Sequence, residues 1–463
     1  MSRYDLIIRG GVAVTPRGVA VADVAVADGL VAAVGPGLEG AARTEITATG
    51  LHVLPALIDA HVHFNEPGRT AWEGWATGSR ALAAGGGALC FEMPLNASPP
   101  TLDAASFALK RAAAEASSMA DFALWGGLVP GGVGRLDELA ACGVIGFKAF
   151  MSNSGIDDFA AADDLTLYEG MARAARLGLP VAVHAESDAL TSALAARALA
   201  EGRATARDYL ASRPVIAELE AIQRALLFAG QTGCALHIVH VSSGAGVALV
   251  AEARARGVDV TCETCPHYLA LTEDDVERIG AAAKCAPPIR GEADQGDLWS
   301  RLLAGQIDLV ASDHSPAPPE MKGAGASFFA LWGGIAGVQS TLGLLLEEGH
   351  HRRGMALAAV AGLTAGNVAR RFGIAGRKGQ IAPGHDADLA LVDLGDRAAL
   401  RREDLLDRHR LSPYVGRAMG GRVARTIRRG QTIFADGRAA DGAGGALVTP
   451  LAASPRAGAP STP

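Results

Sequence analysis

Between Tyr4 and Val34 the chain reads as short β-rich pieces, DLIIRGG, VAVADVAVADG and LVAAVG, separated by Gly and Asp. That is the pattern of small antiparallel strands joined by tight turns. From Leu54 the style changes. Short apolar runs alternate with Ala-rich helical stretches as far as Gly376, the alternation that builds a parallel sheet. The predicted strands are 56–64, 88–94, 121–128, 146–151, 180–186, 235–243, 258–267 and 307–315. Eight strands with intervening helices predict an α/β fold, a (β/α)8 TIM-type barrel whose chemistry lies at the C-terminal strand ends. After Lys378 the strand-like style returns in GQIAPGHDADLALVDL and RTIRRGQTIFADGR. Residues 1–54 and 378–440 are therefore expected to form one small β-sandwich domain, with the barrel spanning 55–377. Gly, Ala, Pro and Ser dominate 441–463, which reads as a flexible tail.

Composition narrows the function classes. With 49% hydrophobic and 20% charged residues over 463 positions, there is ample material for a large core, and whole-chain disorder is excluded. A formal charge of −7 without long basic runs argues against a nucleic-acid or anionic-membrane binder. A small-molecule partner fits better. The start, MSRYDLIIRGGVAV, lacks the features of a secretory signal, and no run approaches the roughly 18 apolar residues of a membrane span. A cytoplasmic location is expected, with the six cysteines as free thiols.

The chemistry concentrates at predicted strand ends. In Asp59-Ala60-His61-Val62-His63, strand alternation points both imidazoles to one face. Two readings are open for such a pair, metal ligands or hydrogen-bonded structural histidines. His184, His240 and Asp313 favour the first, because each closes its own strand in the matching position; His240, not His237, ends its strand. Lys148 lies inside the apolar GFKAFM, where an unpaired ammonium is costly. It is either one half of a buried salt bridge or a lysine carboxylated by CO2, whose carbamate oxygens would bridge two metal ions. Imidazole and carboxylate ligands suit zinc, and iron, manganese or cobalt are compatible. Two such ions about 3.5–4 Å apart would share a hydroxide. Asp313 would act as general base and then as general acid in hydrolysis of an amide-like bond.

At these residues the chain resembles the cyclic amidohydrolases of the dihydroorotase and hydantoinase group. The resemblance rests on HVHFNEPGRTAWEGW (61–75), MPLNASPPTLD (93–103), KAFMSNSG (148–155), ETCPHYL (263–269), KCAPPIR (284–290), SDHSPAPPEMK (312–322) and GGIAGVQSTL (333–342), and it extends to SPYVGR (412–417). It implies that His61, His63, Lys148, His184, His240 and Asp313 bind two metals, that Lys148 is carboxylated, and that the protein is a homotetramer. Asn65 stands where a dihydroorotase-like motif has an arginine to pair with a substrate carboxylate. The resemblance implies a neutral hydantoin bearing a ureido arm as substrate, for which an amide at 65 is more suitable than a permanent cation, with Asn65, Arg69, Asn96, Ser315 and the loop Gly333 to Gly337 as expected contacts. A hydantoinase or dihydropyrimidinase activity and a metal-free scaffold are the alternatives. Retention of all six ligand candidates argues against the scaffold. Cys262 and Cys265 form an isolated CxxC read as structural, His267 could touch substrate or pack, and His350 with His351 is read as a solvated loop.

Overall fold

A computed structural model describes residues 3–323 and 327–451. The barrel strands are β1 (Leu57–Val62), β2 (Gly87–Glu92), β3 (Asp121–Leu124, continued by Gly126–Gly127), β4 (Phe147–Phe150), β5 (Val181–His184), β6 (Leu236–Ile238), β7 (Val260–Thr264) and β8 (Leu309–Val310). They pair in parallel as two arcs, β1-β2-β3 and Gly126–Gly127-β4-β5-β6-β7-β8. The arcs meet at two seams. At one, Trp125 and Gly126 donate to Glu92 and Gly146, so a single segment serves both arcs. At the other, Val62 bridges His314 in parallel and the His63 amide donates to the His314 carbonyl at 2.8 Å. Almost every strand residue is buried, as expected for strands covered by helices outside and side chains inside. The helices start and stop on local signals. Asp163 accepts from the Thr166 amide at 2.7 Å ahead of Asp164–Leu177, and Gly178 closes that helix at φ 69°, a conformation glycine adopts without strain.

The two chain ends form one nine-stranded sheet rather than two separable ones. The reason is the length of Arg3–Thr15, which pairs with Gly18–Ala27 on one edge and with both Ala41–Thr47 and His52–Pro55 on the other. His52–Pro55 then pairs antiparallel with Leu389–Asp393, joining the N-terminal strands to the C-terminal ones. Leu6, Val24, Val53, Leu389 and Ile427 share its buried core.

Two expectations need correction here. The segment expected to be a free tail from 441 is laid beside β3 as far as Leu451. The Phe122 amide donates to Ala446 and the Val448 amide to Phe122, at 3.0 and 2.7 Å. β3 ends its arc, so its outer backbone groups need partners, and the tail backbone supplies them whatever its side chains. Residues 452–463 lie outside the described part. His350 and His351 belong to the helical turn Leu345–His351, not to a solvated loop; they donate to the Met355 and Gly420 carbonyls, at 2.8 Å in each case.

Barrel and sheet are clasped by Lys378, whose buried ammonium lies 2.7, 2.9 and 2.7 Å from Asp121, Asp386 and Asp388. These acids hold its pKa above the usual lysine value against the cost of burial. Removing the cation leaves buried carboxylates facing one another. Lys378→Met is expected to cost about 3–5 kcal/mol, read as a lowered thermal unfolding midpoint; an unchanged midpoint would show that the neighbouring arginines, Arg377 beside Asp386 and Arg428 and Arg429 beside Asp121, neutralise the acids without it.

Candidate metal centre

Strand alternation brings His61 and His63 to the inner face at the C-terminal end of β1, and the turn after β8 brings Asp313 to meet them. The Asp313 Oδ1 lies 3.2 Å from His61 Nε2 and 3.5 Å from His63 Nε2. Across the mouth, His184 Nδ1 and His240 Nε2 stand 3.1 Å apart. The ring centroids of His63 and His61, of His61 and His240, and of His240 and His184 are separated by 5.4, 5.4 and 4.7 Å, so the four imidazoles form one cluster. Carboxylates fix the rings from behind. Glu263 on β7 accepts from His61 Nδ1 at 2.6 Å, which leaves Nε2 as the free lone pair, and Glu186 holds His184 Nε2 at 2.8 Å while also binding Arg213. His237 is engaged elsewhere, between Glu263 and Thr261.

The electrostatics suit cation binding. Burial raises the Asp313 carboxyl, but His61, His63 and His240 outweigh it and hold the group well below the usual carboxylate range. Burial pushes His63 down to about 4, so its ring is neutral and able to ligate. Lys148 on β4 is fully buried, and its Nζ has no hydrogen-bond partner among the described residues. Burial pushes it down to about 8, although Glu263 and Asp313 pull the other way. Imidazoles, an ionised carboxylate and a bare buried amine are a donor set whose chemistry suits divalent cations, and His61, His63 and Asp313 already lie close enough together to hold one. Asp313 and His240, together with Asn65 and Asn96 nearby, have positive φ without being glycine, at 46°, 39°, 65° and 68°. Such backbone strain clusters where function requires it.

Residues 52–433 match the amidohydrolase family. The chain belongs to that family. A protein named allantoinase from Rubrobacter xylanophilus is 64% identical over 450 residues, 97% of this chain and 98% of that protein. One of the same name from Escherichia coli is 47% identical over 435 residues, 93% of this chain and 95% of that protein. Among solved structures, an L-hydantoinase (dihydropyrimidinase) from Arthrobacter aurescens superimposes with TM-score 0.94 at 34% identity, covering 96% of this chain and 100% of its own. A D-hydantoinase (dihydropyrimidinase) from a Thermus species reaches 0.90 at 29% identity, over 96% of this chain and 99% of its own.

Above the centre this amidohydrolase has a cavity of about 410 Å³, walled in part by Asn96, Asn153, Arg213, Lys284, Ser315 and Trp332. Asn96 and Ser315, expected as contacts, do reach it, as do Gly333 and Gly334. The Asn96 amide also lies 3.3 Å from His63 Nδ1. Asn65 and Arg69, expected as contacts, are not among the described residues that line this cavity. The chain turns at Asn65, where Glu92 captures the Phe64 and Asn65 amides at 2.7 and 3.2 Å, and this turn buries the Asn65 side chain. Arg69 donates to the Asn96 and Ala97 carbonyls, at 3.0 and 3.4 Å, and so braces the loop that carries Asn96. His267 is buried off the cavity wall, with neither ring nitrogen bonded to a described residue. Sequence reasoning missed Arg213, Lys284 and Asn153. They come from loops beyond the strand ends, where no periodicity marks direction; only the isolated charges Arg213 and Lys284 gave any signal.

Proposed function

We propose that the protein hydrolyses allantoin to allantoate, opening the hydantoin ring at an amide C–N bond. The observation that carries this reading is full-length identity of 64% to a protein named allantoinase, against 34% to the hydantoinase of nearly the same backbone. His61, His63 and Asp313 would hold one divalent cation and His184 and His240 the other, with Lys148 as a carbamate between them. When bound, zinc, or iron, manganese or cobalt, supplies Lewis acidity and brings the pKa of a water near neutrality. The rest is done by the chain. Lys148, as free amine, attacks CO2 and releases one proton as the N–C bond forms. Glu263 and Glu186 keep the ligand lone pairs aimed at the centre. Asp313, ionised and beside both β1 imidazoles, takes the proton of the attacking water and delivers it to the departing ring nitrogen. Asn96 and Ser315 hold the ring, while Asn65 and Arg69 shape the supporting loop from behind. A homotetramer and a cytoplasmic location belong to the same reading; among the described residues no helix is long and apolar enough to cross a membrane.

The backbone match to the Arthrobacter enzyme favours, as a second reading, hydrolysis of simpler cyclic amides or imides. Steady-state hydrolysis of allantoin, dihydroorotate, hydantoin and dihydrouracil by purified, metal-assayed protein separates the two. Preference for allantoin is expected. Preference for hydantoin or dihydrouracil would replace the first reading with the second, and metal-free protein inert on all four after reconstitution would sink both.

A further inference from the structure

Two lysines near the cavity lack any carboxylate partner among the described residues and are tied instead to the carbonyls of one segment. Lys284 donates to Phe329 and Leu331 at 3.0 and 2.5 Å. Lys322 donates to Ala281, Trp332 and Gly334 at 2.9, 3.3 and 2.6 Å. Both therefore hold the stretch 328–334 against the barrel, but they differ in one respect. Lys284 lines the cavity, while Lys322 is not among its described lining residues.

Lys284 is only 4% exposed, and its ammonium lies 4.5 Å from the centroid of the Tyr209 ring and 5.5 Å from that of Phe328. Burial pushes its pKa down to about 7, with Arg213 and Lys322 adding to the fall. An ammonium has three donors, and the two carbonyls use two of them. A third donor at the cavity wall, largely withdrawn from water, needs an acceptor from whatever fills the cavity, since an unmade bond to a buried donor is costly. A carboxylate on the substrate is not required, because a neutral carbonyl satisfies the donor. A hydantoin reacting at one ring carbonyl over His61 and Asp313 keeps a second ring carbonyl; with Asn96 and Ser315 taken by the ring in the proposed reading, the substituent is what remains for Lys284. An alkyl substituent would leave the N–H unpaired, whereas a urea carbonyl, the stronger acceptor, would not.

We propose that Lys284 recognises the ureido arm of the substrate, donating its remaining N–H to the arm's carbonyl oxygen, and thereby sets the preference for ureido-bearing over unsubstituted hydantoin. This assignment rests on the reading of the protein as an allantoin hydrolase.

The test compares Lys284→Met with Lys322→Met in the full-length, metal-loaded protein, with metal content and thermal midpoint measured alongside kcat/KM for allantoin and for unsubstituted hydantoin. Where hydantoin turnover is slow, its inhibition constant against allantoin hydrolysis serves instead. Lys284→Met is expected to lower hydantoin turnover no more than Lys322→Met does, through the loosened segment, and to lower kcat/KM for allantoin by a further factor of about 10 to 100, mainly through KM. Lys322→Met is expected to move both substrates in parallel, because it loosens the same segment without removing a donor at the cavity wall. Equal losses on both substrates in Lys284→Met, or no loss, would show that Lys284 is a clamp only and overturn the assignment. If Lys284→Met does not fold, Lys284→Gln, which keeps a donor for the segment, must shift the same ratio in the same direction for the assignment to stand. Wild-type protein inactive on allantoin would overturn the parent reading as well; wild type active on allantoin with an unchanged ratio in the variants overturns this assignment alone.

Discussion

Lys148→Ala is expected to reduce hydrolysis by about 10³-fold or more, some 4 kcal/mol of barrier at 1.36 kcal/mol per decade, with the protein still folded. The two halves of this expectation come from the same observation. Lys148 is fully buried, and its Nζ makes no hydrogen bond with the described residues. Truncation therefore removes no hydrogen bond that holds the barrel together, and the desolvated amine is itself unfavourable. The metal-free variant should stay folded, with relief of the desolvated amine offsetting part of the cost of the cavity the lost side chain leaves. On the proposed reading, truncation removes the group that would, as a carbamate, supply an anionic ligand shared by the His61–His63 and His184–His240 pairs. Metal content should fall with activity, and short carboxylic acids such as acetate or propionate should restore part of both by occupying the vacated space. The wild-type counterpart is reconstitution of metal-free protein with and without bicarbonate, where activity should return faster with it. Full activity of Lys148→Ala, or a collapse in thermal stability with metal still bound, would make the lysine structural.

How much of this could be read from the chain alone follows from geometry. A strand has a side-chain period of two, so His-x-His at residues 61 and 63 points one way whatever surrounds it, and a barrel converges its strand ends on one mouth. Hence four histidines, a lysine and an aspartate that are far apart in sequence could be assigned to one place, and the structure does bring them together. The carboxylates that orient them were less visible. Glu263 and Glu186 look like ordinary polar residues in ETCPHYL and PVAVHAE, and only their contacts with His61 and His184 show that they set ring orientation. Asn65 shows where strand logic fails. The alternation that places His61 and His63 stops at Phe64, because the buried Glu92 carboxylate takes the next two amides and bends the chain to a φ of 65°. The tail failed for a different reason. Its composition is that of a flexible segment, but its backbone pairs with β3, and backbone pairing leaves little trace in side-chain composition.

Asp313→Asn should separate ligation from proton transfer, with kcat lowered about 10²–10⁴-fold, the range for general acid–base catalysis. Asparagine keeps the shape and one oxygen that can coordinate, but it cannot accept the water's proton at neutral pH. If Asp313 moves the proton, kcat falls while metal content is largely retained and KM changes little. If it is chiefly a ligand, metal is lost in proportion to activity, and excess metal restores the rate. The pH dependence gives an independent check. His61, His63 and His240 hold the Asp313 carboxyl well below the ordinary carboxylate range against the effect of burial. A depressed pKa means that the ionised, proton-accepting form persists as pH falls through about 3.9, the free aspartate value, and is lost only further down. Acid-side loss of wild-type kcat above that point then has two sources that added metal separates: loss from ligand histidines releasing metal moves to lower pH with added metal, whereas loss from protonation of the metal-activated water does not. Near-wild-type kcat in Asp313→Asn would remove the aspartate from the proton path, leaving the departing ring nitrogen to take its proton from some other group.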